Sequence, residues 1–219
     1  MIEKTDAIAL LKRNLHRTEM LIEAMENIKA RDRLYQMEHA RDRDYFETVK
    51  AVQHERLERI EQSCGEHAII SLATAFETYC RELLQQMLSE YPDYFVSRRT
   101  KYSERLNGLI EDAQPVTHEE IGQALKLGGR FDYYALLKAY SIPFLSSDEE
   151  GFIEYVYLRR NSYVHSAGRL DARTREKLAA TSPPFNECAL STEAKRLRTM
   201  FRRIMYKSYD RTKSILAQG

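Results

Sequence analysis

The chain is poor in the residues that interrupt helices: its 219 residues include only eight glycines and five prolines, and neither type occurs before Gly65. That long stretch without either excludes tight hairpins there and favours long helices. Three cysteines, Cys64, Cys80 and Cys188, form no CxxC pair and no zinc-ligand spacing. An odd count with no disulfide framework fits a reducing compartment, so a cytoplasmic location is expected. No apolar run approaches the roughly 20 residues that span a bilayer. The N-terminus, MIEKTDAIAL, is broken by charges and lacks the apolar core of a secretory signal. A soluble protein without a membrane partner is therefore expected. The chain also has little net charge, with 34 Lys and Arg against 33 Asp and Glu, so its overall field favours neither nucleic acid nor membrane. It contains no phosphate-binding glycine loop, no glycine-rich dinucleotide turn and no HExxH. No cofactor and no metal are expected.

What is present is helical periodicity, and it predicts an all-α fold. Residues 5 to about 30 form one pattern, with Thr5 or Asp6 as cap and Ile8, Leu11, Leu15, Ile22 and Met25 on one face. Residues 31–44 are mostly charged and fit a solvated helix or a short break equally well. A second pattern carries Phe46, Val49, Leu57 and Ile60. Together these segments, residues 1–64, are expected to form an N-terminal helical arm or hairpin, of structural or dimer-forming rather than catalytic use. Gly65 marks a break or a tight packing point. From Glu66 to about Ser89, Ile69, Leu72, Ala73, Phe76, Cys80, Leu83, Leu84 and Met87 follow the helical period closely, so Cys80 belongs to the core rather than to a reactive site. Glu77 and Arg81 have intrahelical pair spacing.

Tyr91-Pro92-Asp93 ends that helix, because proline lacks the amide donor and restricts its predecessor. Short helices follow over about residues 91–145. Thr117 and Glu120 make a capping box for one that runs to about Leu127 and stops at Gly128-Gly129; another runs from Phe131 to Tyr140. A basic cluster, Arg98, Arg99 and Lys101 beside Tyr102, is either a solvated face or a phosphate contact. Ser147 and Glu150 make a second capping box, opening a helix whose inward face is Phe152, Tyr155, Val156 and Tyr163. Asp171 to Ala180 continues as a short helix, and Thr181-Ser182-Pro183-Pro184 is a loop. Ser191 or Thr192 caps a last helix to about Leu216. One face of it is Ala194, Leu197, Phe201, Ile204 and Met205. The other carries Lys195, Arg196, Arg198, Arg202, Arg203, Lys207, Arg211 and Lys213, against only Glu193 and Asp210. A basic amphipathic helix suits RNA, an acidic protein partner, a membrane surface or simple solvation as a packed terminal helix.

The segment Phe152–Asp171, FIEYVYLRRNSYVHSAGRLD, joins an apolar aromatic helix to a compact set of chemical groups. Arg160, directly followed by Asn161, is separated from His165 by four residues. Histidine exchanges protons near neutrality, with an unperturbed pKa of about 6.5. Arginine stays charged and offers a planar fork of donors to phosphate oxygens. Such a pair suffices in principle to cut RNA without a metal. Five positions along a helix amount to a turn of roughly 140°, so Arg160 and His165 do not share a face of one ideal helix. Either the helix ends or bends between them, or a neighbouring surface completes the site. His16, His39, His54, His67 and His118 are scattered among charged residues and are expected to be surface histidines.

The R-N-x3-H pattern of Arg160, Asn161 and His165, set in RRNSYVHSAG, resembles the RNxxxH signature of the HEPN superfamily and is similar to its RiboL-PSP branch. The helix EHAIISLATAFETYCRELL, from Glu66 to Leu84, resembles the family helix that packs near that motif. The likeness covers about Gly65–Asp171, with Ser166 where family members commonly carry asparagine. It implies a HEPN-like antiparallel bundle over residues 65–219, with the 91–145 segment as an insertion, the N-terminal arm before it and a long basic C-terminal helix. It also implies a homodimer whose two motifs face each other across one composite cleft, and places an acidic residue such as Glu77 near the motif. The function implied is a metal-independent endoribonuclease, a toxin or anti-phage effector restrained by an antitoxin or other regulatory protein. On that reading His165 is the general acid or base, Arg160 stabilises the phosphate, and Asn161 orients the histidine or binds phosphate. Arg159, Arg202 and Arg203 would contact RNA. The alternatives are a non-catalytic helical module that binds RNA or a partner protein, and a dimeric helical scaffold whose Arg-rich helix only keeps it soluble.

Overall fold

A computed structural model describes residues 7–38, 43–112, 117–125, 132–142, 145–166, 168–181 and 190–216. These residues form nine α-helices and no strand: α1 (Ala7–Glu38), α2 (Arg43–Glu90), α3 (Pro92–Val96), α4 (Ser103–Asp112), α5 (His118–Leu125), α6 (Asp132–Ala139), α7 (Ser147–Ser166), α8 (Ala172–Ala180) and α9 (Leu190–Leu216). The all-α expectation holds. No helix among the described residues is long and apolar enough to cross a membrane.

The first two helices are longer than the pattern predicted, and fewer breaks occur in them. The first helix continues to Glu38, so the charged stretch after residue 30 is solvated helix up to that point. The two patterns before and after Gly65 are one helix of 48 residues, and Gly65 is buried within it. Gly65 is therefore not a break, and the expected boundary at 64/65 lies inside α2. Expected caps at Thr5 or Asp6, the stop at Gly128-Gly129, the 182–184 part of the loop and Cys188 lie outside the described residues, as do the side chains of Ile8, Phe46, Val49 and Lys213.

The chain divides into two compact units, and the divisions fall within α1, α2, α7 and α9. The first comprises Met1–Asn14, Thr74–Glu150 and Arg202–Gly219. Leu11, Phe76, Tyr79, Leu84, Phe95 and Tyr140 are among its fully buried side chains. The Phe95 and Tyr140 rings meet edge to face at 5.0 Å, and Phe76 meets Tyr134 at 5.8 Å, a geometry that aligns ring edges with ring faces. Thr117 and Glu120 form the expected capping box, with the Thr117 amide donating to Glu120 at 2.7 Å and the Glu120 amide to the Thr117 hydroxyl at 3.3 Å. The second box sits one residue earlier than predicted. Ser146 caps α7, its amide donating to Glu149 at 2.8 Å. Glu150 instead accepts from the Tyr134 hydroxyl and pairs with Lys138 at 2.8 Å. The predicted Glu77–Arg81 spacing gives way to an Arg81–Glu82 pair at 3.7 Å.

The second unit comprises Leu15–Ala73 and Gly151–Phe201. Leu15, Ile22 and Met25 of α1, Ile69 and Leu72 of α2, Phe152 and Val156 of α7, and Leu197 and Phe201 of α9 are buried, as their spacing predicted. Lys195 pairs with Glu26 and Arg198 with Glu19, so α9 ascends as α1 descends and the two are antiparallel. Lys29 pairs with Glu61 at 2.6 Å, tying α1 to α2. The Tyr157 hydroxyl donates to the Ala73 carbonyl at 3.3 Å, tying α7 to α2. Asp171 is the cap of α8 rather than its first residue, accepting from the Thr174 amide at 2.6 Å. Ser191 and Thr192 lie inside α9, which begins at Leu190, so neither is its cap.

Candidate functional site at the end of α7

The two consecutive arginines of the motif have opposite fates, because neighbours on a helix point about 100° apart. Arg159 lies on the inward row with Phe152, Tyr155, Val156 and Ser162, and is only 6% exposed. Its guanidinium donates twice to Glu193 of α9, at 2.6 and 2.7 Å, a bidentate pairing that uses the full fork. The Tyr155 hydroxyl donates to the same carboxylate at 2.6 Å. Arg159 also donates to the Tyr163 hydroxyl, its charge 4.8 Å from that ring's centroid. Burial alone would lower the arginine pKa, but the Glu193 hydrogen bonds and charge outweigh it and the net shift is upward. Arg159 thus ties α7 to α9 and presents no open face to a phosphate. The expectation that it contacts RNA is corrected on that ground.

Tyr163 passes this anchor on to the end of the helix. Burial raises its hydroxyl pKa, partly opposed by the neighbouring Arg159 charge, so the phenol stays protonated. Its ring covers Gly168, whose φ is +79°. A methyl group built on Gly168 would meet the ring at 3.0 and 3.1 Å and Glu66 of α2 at 3.7 Å. Glycine is therefore required twice over, by the left-handed backbone and by the ring. The Gly168 amide donates to the Ser162 carbonyl at 3.0 Å and that of Arg169 to Ser166 at 2.9 Å, closing the helix end.

Outside this anchor lie the predicted catalytic residues. Arg160 is partly exposed, and Asn161 and His165 are exposed. The helix does not end between Arg160 and His165, since α7 continues to Ser166. Asn161 and His165 stand one turn apart and share a face. Arg160 leans toward that face, donating to the Asn161 side-chain oxygen at 3.1 Å. Asn161 thus orients the arginine. Among the described residues, no group of three His, Cys, Asp or Glu side chains is arranged to hold a metal ion.

The basic face of α9 is more neutral than its sequence. Lys195 and Arg198 pair with Glu26 and Glu19, and Arg211 with Glu149 at 2.5 Å. Acids from α1 and α7, invisible in the α9 segment itself, supply the missing charge. Arg196, Arg202, Arg203 and Lys207 remain exposed. Arg202 and Arg203, the other expected RNA contacts, belong to the first unit, whereas Arg160, Asn161 and His165 belong to the second.

Glu193 is the residue that sequence reasoning missed. Its signal was spacing: Glu193, Leu197 and Phe201 recur every four residues on the buried row of α9. An acid on that row calls for a buried cation. No protein-family model matches the chain, and neither a curated protein nor a solved structure does.

Proposed function

We propose that the chain is a metal-independent endoribonuclease of the HEPN type that works through Arg160, Asn161 and His165. The observation that carries this reading is the division of the arginine pair. Arg159 is consumed in a buried structural pair, while Arg160, Asn161 and His165 stay accessible at the end of a helix whose orientation that pair fixes. His165 removes the proton of the ribose 2′-hydroxyl or protonates the leaving 5′-oxygen. Arg160 stabilises the charge of the pentacoordinate phosphate, and Asn161 holds its guanidinium. The 2′-oxygen attacks the adjacent phosphorus, the bond to the 5′-oxygen breaks, and the product carries a 2′,3′-cyclic phosphate. In one copy a single histidine faces the phosphate. A homodimer with facing motifs would supply separate groups for the base and acid steps. Such an enzyme belongs to a toxin or anti-phage system and requires a restraining partner.

One observation favours a second reading, a non-catalytic helical module that binds RNA or protein. The backbone positions of Arg160 and His165 are set roughly 140° apart on an unbroken helix. Cleavage of a mixed RNA pool in EDTA decides between them. The expected result is cleavage by the wild type with 2′,3′-cyclic phosphate ends, none of the 2′-deoxy substrate, and loss of activity in His165→Ala and Arg160→Ala. Equal cleavage by all three proteins would refute the assignment. Binding without cleavage by any would establish the second reading.

A further inference from the structure

We infer that the loop between α3 and α4 is a binding surface for single-stranded nucleic acid, built from residues other than Arg160, Asn161 and His165. The segment Ser97–Tyr102 reads SRRTKY, with three cations and no acid. Arg98, Arg99 and Lys101 are all exposed, and Arg105 extends the set one turn into α4, alongside the exposed Glu104.

Two features distinguish this surface from a merely solvated cluster. The first is its rigidity. The Thr100 amide donates to the Ser103 hydroxyl at 2.7 Å, and that hydroxyl donates to the Arg98 carbonyl at 2.8 Å. The Tyr102 amide donates to the Thr100 hydroxyl at 3.1 Å. Side chains thus take over backbone groups that would otherwise need water, and hold the loop in one shape. The second feature is the pairing of cations with rings. The Arg98 guanidinium carbon lies 3.7 Å above the Tyr94 ring centroid, and the Lys101 ammonium 4.8 Å from that of Tyr102. Tyr94 is itself anchored, its hydroxyl donating to the Tyr140 carbonyl at 3.1 Å. Arg98 is therefore a flat cation held in place by an anchored ring.

A stacked guanidinium keeps its edge donors for phosphate and its outer plane for a base, and Tyr102 adds an aromatic surface. Unpaired bases offer their faces to such platforms; those of a duplex are already stacked on one another. Phosphate attraction and stacking together fit a single strand better than a duplex or an acidic protein. The inference deepens the proposed ribonuclease reading, and rests on it only for taking the polymer to be RNA.

Binding is measured by fluorescence anisotropy with a labelled oligouridylate of about 12 nucleotides, near the upper range of a single-strand site. The full chain carries His165→Ala so that cleavage does not intervene. Replacing Arg98, Arg99 and Lys101 with alanine is expected to weaken binding at least ~10-fold at low salt and to reduce the slope of log K against log salt by about 2. Tyr102→Leu is expected to weaken oligouridylate binding by ~5-fold or more while leaving duplex RNA unchanged. Unchanged urea midpoints would show that these substitutions leave the fold intact. Unaltered affinity in the triple variant would overturn the inference. So would equal losses for duplex and single strand in Tyr102→Leu, or polyglutamate competing as well as oligouridylate. Loss of binding in the triple variant, with no cleavage by the wild type, would uphold this surface and refute the ribonuclease reading alone.

Discussion

Removing the carboxylate of Glu193 tests the central structural element of the candidate site. The side chains of Arg159 and Glu193 are 8% and 5% exposed, so neither end of the pair is screened by water. Glu193→Ala deletes the acceptor of two Arg159 hydrogen bonds and one from Tyr155, leaving a buried guanidinium that keeps Tyr163 but loses its countercharge. Stranding a buried charge in this way costs about 3–5 kcal/mol. With a urea slope of about 2 kcal/mol per molar, the unfolding midpoint should fall by roughly 2 M. The comparison is Glu26→Ala. Its pair with Lys195 is 51% and 47% exposed, and losing such a surface contact costs about 0–1 kcal/mol. A double variant, Arg159→Met with Glu193→Leu, should recover most of the loss, because it removes both charges and fills the space. If Glu193→Ala costs no more than Glu26→Ala, the claim that a buried ion pair fixes α7 against α9 is wrong.

Glu149 and Glu150 should govern the acid limb of stability. Burial opposes ionisation of Glu149, but the Ser146 backbone and Arg211 outweigh it; Lys138 and Tyr134 depress Glu150, and both carboxyls titrate below the usual range. Groups with depressed folded pKa values stabilise fully above the unfolded value, about 4.3, and lose that contribution as pH falls through the folded values. The urea midpoint should therefore drop below about pH 4, and the wild type should lose its advantage over Glu149→Gln/Glu150→Gln there. A gap that persists unchanged to about pH 2.5 would contradict this. Two glycines should respond in opposite directions to alanine. Gly168→Ala meets the Tyr163 ring with φ at +79° and should destabilise by about 1–3 kcal/mol. Gly108, inside α4 with nothing within 4 Å of a built methyl, should gain up to about 1 kcal/mol from helix propensity. Urea midpoints moving in the same direction would refute the distinction.

Helical periodicity exposes most of the core, because burial on a helix repeats with its turn. Leu11, Leu15, Ile69, Phe76, Phe152 and Phe201 are all legible in this way and are buried. Helix ends are less legible, because each depends on a local competition among several candidates. Ser146 with Glu149 and Ser147 with Glu150 have identical capping spacing, and only contacts distant in sequence decide between them. Glu150 goes to Tyr134 and Lys138, while Glu149 accepts from the amide of the Ser146 cap and also meets Arg211. The same limitation explains the overestimated charge of α9. Three of its basic residues are neutralised by Glu19, Glu26 and Glu149, which no reading of the α9 segment alone connects to it.

The arginine pair shows why a motif should be read together with its helical phase. Counting seven residues from Phe152 reaches Arg159, and counting three from Val156 reaches it again, so both place it on the inward row. A cation on that row is costly unless another element supplies an acid, and Glu193 occupies the matching row of α9. Each residue viewed alone looks like part of a charged surface: one in an Arg-Arg-Asn run, the other among basic residues. Viewed by phase, each is a charge inside a core, and the two account for each other. This separates structural from chemical roles within the candidate motif. The burden of chemistry falls on Arg160, Asn161 and His165, and the burden of holding them in place falls on Arg159, Glu193 and the Tyr163–Gly168 closure. Arg159→Lys should consequently behave as a stability variant, because a lysine cannot reproduce the two-pronged contact, whereas Arg160→Lys should leave the unfolding free energy within about 0.5 kcal/mol of the wild type.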